Sequence, residues 1–279
     1  MNRTRFNTCA IAVALVITMP LVAQVAEGDR HWSARAEGAS HVDAAIAAYG
    51  RAIAANANDL EAHAKLLRAY RFKGAYHAKS ADQKKQIYGT AKTAGEKALT
   101  AVARALASRN VKADAAEKTI AAAAKSIPHA AEVYLWDAVN WGEWALAYGK
   151  LAAARQGAAD RIRRGATIAH LADPALEGGS PSRVLGRLHD QTPRIPFITG
   201  WASSKEAMRF LNESLKYDSK NKITLVFLAE AMVSSDSSAK SRAIELLRGV
   251  INAPNDPRFA VEDAAAVEDA KRLLNEWDA

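Results

Sequence analysis

The sequence predicts an all-α protein built as a helical-repeat array, an α-solenoid, and three observations predict it. From Val42 onward apolar residues recur at spacings of three and four, while no period-two run of β-branched residues is long enough for a strand. Gly and Pro are confined to apparent junctions. Triplets of small, large and small residues spaced four and three then recur along the chain, as expected of helices that cannot bury a face alone and must stack on neighbours. The length of 279 residues suits one such array, since a domain spans about 100 to 200 residues. With 49% hydrophobic and 24% charged residues the chain has apolar surface for a core and no disorder signature.

In chain order, Arg3 and Arg5 precede an apolar run from Ala10 to Ile17, and Pro20 leads to Leu21-Val22-Ala23. The run is shorter than the roughly 20 residues of a spanning helix and reads as a secretory signal over 1–26, cut after Ala23 or Ala26. Leu21 or Gln24 would then occupy the third position before the cut, where a small residue is usual. Export to the periplasm is expected, with no membrane span once the signal is gone. Cys9, the only cysteine, leaves with it, so the mature chain 27–279 has no thiol for disulfides, thiolate metal sites or nucleophilic catalysis. Losing Arg3 and Arg5 lowers the net charge from +8 to about +6. The remaining Lys and Arg are interspersed with acids, so a solvated surface is expected and no nucleic-acid partner.

The first repeat block is expected over 42–174. Ala45, Tyr49 and Ala52 form the first triplet, and a helix starting at Asn58-Asp59 carries Leu66, Tyr70, Gly74 and Tyr76. That order and spacing resemble the first helix and turn of a tetratricopeptide repeat. Further triplets stand at Ala116, Ile120 and Ala123 with Pro128 beyond, at Ala207, Leu211 and Ser214, and at Ala243, Leu247 and Val250. A poorer copy runs from Ile162 through Ala166 and Ala169 to Pro174. Successive starts differ by 71, 91 and 36 residues, against a family period of about 34, so the array is expected to be degenerate. Residues 77–85 are a polar, basic break. The Gly/Pro-rich stretch 175–204 reads as an irregular insertion that packs on the array through Ile195, Phe197, Ile198 and Trp201. Residues 205–279 hold the second repeat block and a closing helix from Pro257, with Val261, Ala265, Val267, Leu273, Leu274 and Trp277 on its apolar face.

For chemistry the chain offers little. None of its seven histidines pairs with another at a ligand spacing of three or four, so no metal site is expected. Phosphate-binding loops, dinucleotide fingerprints and nucleophile elbows are all missing, and neither cofactor nor catalytic residue is assigned. Glu132, Asp137 and Glu143 are the nearest acidic candidates, and they read as solvent-facing positions on an aromatic helix. Trp136, Trp141 and Trp144 place three of the six tryptophans within nine residues. With Tyr148 they form one broad stripe, Trp136 and Trp144 lying about 80° apart on a helix. Such a stripe is either core or the wall of an aromatic cleft for an apolar ligand. Arg183 and Arg187 are four apart after Gly178-Gly179-Ser180-Pro181. A helix starting there would aim backbone donors and two guanidinium groups at an anion, unless Asp173, Glu177 or Asp190 pairs with them.

The run from Gly178 to Gly186, the spaced prolines Pro193 and Pro196, and Lys205-Glu206-Ala207 to Leu215 resemble the T component of tripartite ATP-independent periplasmic (TRAP) transporters. The resemblance implies a periplasmic repeat protein that forms a homotrimer, associates with a substrate-binding protein and holds a small apolar or acidic ligand. Members are typically lipoproteins, and the lipoprotein cysteine motif is missing here. On this reading Trp136, Trp141, Trp144, Arg183, Arg187 and Trp201 contact the ligand or partner. The alternative is a scaffold that recognises extended peptides during envelope assembly.

Overall fold

The computed structural model describes residues 21–195 and 199–278, and their regular elements are all helical. These are α1 (Leu21–Ser33), α2 (Ala39–Ala55), α3 (Leu60–Phe72), α4 (Ala81–Ala107), α5 (Glu117–Ala124), α6 (Ala130–Tyr148), α7 (Lys150–Arg155), α8 (Ala158–Ala172), α9 (Leu176–Gln191), α10 (Ser204–Tyr217), α11 (Lys222–Ser235), α12 (Lys240–Asn252) and α13 (Ala260–Asp278). Local chemistry sets several starts. Asp59, Ser80 and Asn221 accept the backbone N–H three residues on, at 3.0, 3.1 and 3.1 Å, and so cap α3, α4 and α11. At the other end of α3 a single π turn, Lys73–His77, carries the chain toward α4.

The helices alternate between two layers. One contains α1, α3, α6, α9, α11 and α13, each touching the next member of its own layer. The other contains α2, α4, α8, α10 and α12, which pack chiefly on first-layer helices before and after them. An array whose first-layer neighbours touch and whose second-layer helices splay curls toward the first layer. It does so until its ends meet. Arg35, just after α1, pairs with Glu262 of α13 at 3.4 Å, with side chains only 14% and 13% exposed, and donates to the Arg258 carbonyl. Its guanidinium also stacks 4.8 Å from the Trp32 ring. Arg35→Ala should therefore part the ends at a cost of about 1–2 kcal/mol. Spin labels at the exposed Ala36 and Ala264 would then move apart, and an unchanged distance would show that the pair does not hold the closure.

The core lies between the layers and explains the triplets. Ala45, Tyr49 and Ala52 on α2, Ala207, Leu211 and Ser214 on α10, and Ala243 and Leu247 on α12 are fully buried. Two of the large members, Tyr49 and Leu211, meet a glycine opposite. A Cβ on Gly28 would fall 2.3 Å from the Tyr49 ring, and one on Gly186 would fall 2.6 Å from Leu211. Gly74 meets the Tyr88 ring of α4 in the same way. Ile162, Ala166 and Ala169, the poorer copy, are buried on α8. By contrast the Ala116 triplet lies at α5, an added short helix packed on α8 and outside the alternation of layers.

Two expectations need correction. The stretch 175–204 is not mainly irregular, because α9 occupies most of it. Glu177, Gly178 and Gly179 are left-handed (φ 48°, 65° and 78°), and a regular helix resumes at Ser180 with Pro181 in its first turn. Pro is tolerated there because the first-turn amides have no helical partner. Of the apolar residues expected to seat this stretch, Trp201 is half-buried and Ile195 is 45% exposed; Phe197 and Ile198 lie outside the described residues. Asp137 is buried and not solvent-facing, since α6 is enclosed by α3, α4 and α8.

The charged and apolar parts of the expected leader lie outside the described residues. Its last residues begin α1, where Val25 packs with Ala45, Tyr49 and Ala52. A cut after Ala23 would keep Val25 in that cluster, and a cut after Ala26 would remove it.

Candidate partner-binding face

The inner layer brings together two arginines in opposite electrostatic situations. Arg71 of α3 donates to Glu143 of α6 at 3.3 Å and to the Tyr76 hydroxyl at 2.7 Å. Burial opposes its charge, but Tyr76 and Glu143 outweigh burial and hold its pKa above the ordinary value. Arg183 of α9 has neutral partners, donating to Thr224 Oγ1 of α11 at 3.1 Å and to Ser180 Oγ at 2.9 Å. Burial, and then the nearby Arg71 charge, push its pKa from 12.5 down to about 10 despite Asp218 and Glu177. A guanidinium so placed gains from an arriving anion.

The other proposed contacts are not gathered around it. Arg187 is neutralised internally by Asp190 at 3.3 Å and Glu230 at 2.8 Å, and its guanidinium covers the Phe227 ring. Trp141 and Trp144 are 2% and 4% exposed and meet edge-on at 5.4 Å, so they form core and not an open cleft wall. Trp136 is half-buried against a different cluster, with α3, α4 and α5. Trp201 stands edge-on to His189 at 5.2 Å beneath the Arg163 guanidinium. The aromatic stripe is thus divided between two packing clusters.

No family model matches the chain. No curated protein matches it either. Among solved structures it is similar to the TPR2AB domain of yeast Sti1 in complex with pHsp90, at 14% identity over 93% of this chain and 98% of that one, with a TM-score of 0.29. A score that low carries no argument, and the fold class rests on the layering of this chain's own helices.

The interior holds several polar groups whose partners and surroundings the sequence did not show. Ser182 Oγ lies 3.1 Å from His170 Nδ1, and His170 Nε2 lies 3.7 Å from Glu213 Oε1. This hydroxyl, imidazole and carboxylate sequence resembles a nucleophilic triad, yet Ser182 is fully buried and closed to an acyl substrate. It ties α8, α9 and α10 together. Asp137 is a second such group. Burial raises its pKa from 3.8 to about 7, with Arg161 opposing and Glu96 adding to the shift. Tyr76 and Arg71 are a third, and Arg71 carried one legible cue: it directly follows Tyr70 in the repeat-like pattern and so falls on the inner helix. Glu132 and Glu143, the remaining acidic candidates, pair with His129 at 2.8 Å and with Arg71.

Proposed function

We propose that the protein is a non-catalytic binding scaffold whose inner layer takes an acidic segment of a protein partner, with Arg183 reading its charge and Arg71 beside it. One observation carries the reading: Arg183 is a part-buried guanidinium held by two neutral hydroxyls, next to a like charge. A carboxylate from outside would supply the direct ion-pair partner that Asp218 and Glu177 do not provide. The test is an array of short acidic and neutral peptides probed with the wild type and with Arg183→Met. Acidic peptides should be retained selectively, and the substitution should weaken them by about tenfold or more. The variant's melting temperature should hold or rise, because a part-buried charge without a direct ion-pair partner is removed. Equal retention of neutral peptides, or full retention by the variant, would reject the proposal.

A finer reading places the protein in the periplasm as a TRAP-associated T component. The group of Arg183, Ser180 and Thr224 also suits the carboxylate of a small acid, which favours that reading. Native mass spectrometry separates the two. A trimer with a retained small acid supports the transport-associated role, whereas an empty monomer that retains acidic peptides supports the peptide scaffold.

A further inference from the structure

At the turn between α6 and α7 the chain exposes apolar side chains that the repeat architecture has no use for. Leu146 is 77% exposed and Leu151 is 66% exposed, on either side of Gly149, and Tyr148 beside them is 41% exposed. Gly149 sits at φ 90° with open space around it, so the bend projects outward. On α7 the inward side is supplied by Ala152 and Ala153, which pack on the α6–α8 core, and Leu151 is left facing out. A leucine facing solvent at a tip is a standing cost that an apolar environment would remove.

The charge around this tip is a cationic surplus. The Tyr148 hydroxyl donates to the Lys85 carbonyl at 3.2 Å, which brings the start of α4 against the turn. Asp82, Glu143 and Asp160 border the tip and each pairs with a cation, Lys85 at 3.9 Å, Arg71 at 3.3 Å and Arg163 at 3.3 Å, which leaves Lys84, Lys92, Lys150 and Arg155 against Glu96. Lys84, Lys150 and Arg155 are exposed. Among the described residues no helix is long and apolar enough to cross a membrane. Two protruding leucines and a tyrosine set among a surplus of cations have the chemistry of a segment that lies in a membrane interface: the leucines enter the acyl boundary and the cations meet anionic headgroups.

We propose that the α6–α7 turn docks the protein on an anionic lipid surface, with Leu146 and Leu151 inserted and Lys84, Lys150 and Arg155 at the headgroups. The site is separate from Arg183, so its test is independent of partner binding. The purified protein is sedimented with vesicles of phosphatidylcholine alone and with vesicles of phosphatidylcholine and phosphatidylglycerol in equal parts. Binding should favour the anionic vesicles and weaken with salt. Leu146→Glu with Leu151→Glu, and separately Lys150→Glu with Arg155→Glu, should each reduce it on the order of tenfold or more. All four positions are exposed, so melting temperatures should match the wild type and exclude misfolding. The proposal is overturned if the wild type binds no vesicles, if both variants bind as well as the wild type, or if mass photometry shows a dimer that the leucine substitutions abolish, since a second copy would then cover the patch.

Discussion

Replacing Gly179 with alanine is expected to destabilise the protein by about 3 kcal/mol or more, among the largest effects of any single methyl group in the chain. Two costs combine. Gly179 is left-handed at φ 78°, a conformation that costs an L-residue about 1–2 kcal/mol. Its new Cβ would also lie 2.8 Å from the Ser214 carbonyl oxygen and 3.0 Å from Ser214 Cα. Those atoms are backbone of α10 and cannot rotate away, so the α9–α10 pair, the most extensive helix contact in the array, must separate. Gly157→Ala provides the control. Gly157 is likewise left-handed at φ 62° and ψ 34° but meets nothing within 4 Å, so only the conformational cost of about 1–2 kcal/mol remains. Urea titration of both variants measures the difference. If Gly179→Ala loses no more stability than Gly157→Ala, the close approach of α9 and α10 is not what the glycine serves.

The same contact shows why some of the fold was legible and some was not. Ala207, Leu211 and Ser214 were readable because two helices that nearly touch need small residues at fixed spacing on one face, a local pattern. Gly178 and Gly179 were readable as a break, but a break and an insertion look alike in sequence. Only the neighbouring helix reveals that Gly186 is there to admit Leu211. The triplet at Ala116 satisfies the same local rule on α5, an added helix, because an amphipathic surface helix and a repeat helix bury their faces by the same means. The tryptophans illustrate the limit for function: a stripe on one helix does not tell whether one neighbour or three will cover it. Three neighbours, α3, α4 and α8, enclose α6, and the stripe became core. The buried charges were least legible. Arg183 and Asp137 could be named from sequence, but their electrostatic situations could not, because Thr224 and Arg71 around the first and Gly95 and Arg161 around the second come from other helices.

Asp137 gives the second large effect, and its sign depends on pH. The carboxyl is 7% exposed, its Oδ1 has no hydrogen-bond partner among the described residues, and a Cβ on Gly95 of α4 would fall 2.0 Å from it. Arg161 reaches over the Trp141 ring, 4.9 Å from its centroid, and makes no ion pair with Asp137. Burial therefore raises the folded-state pKa to about 7, against 3.8 ordinarily. At low pH the folded and unfolded chains both hold the proton and the site costs nothing. Between about pH 4 and 7 only the folded chain holds it, so stability falls as pH rises, and above about pH 7 the penalty is constant. The full shift corresponds to about 4 kcal/mol, an upper bound that relaxation around the site will reduce. Asp137→Asn keeps the shape and removes the ionisation. It should be nearly neutral at pH 4 and should stabilise the protein at pH 8 by about 2–4 kcal/mol, raising the melting temperature by roughly 5 °C or more. Denaturant titrations of both proteins across that range decide the matter. Parallel stability curves would mean that Asp137 is ionised in the folded protein at neutral pH, and that Arg161 or water reaches it after all.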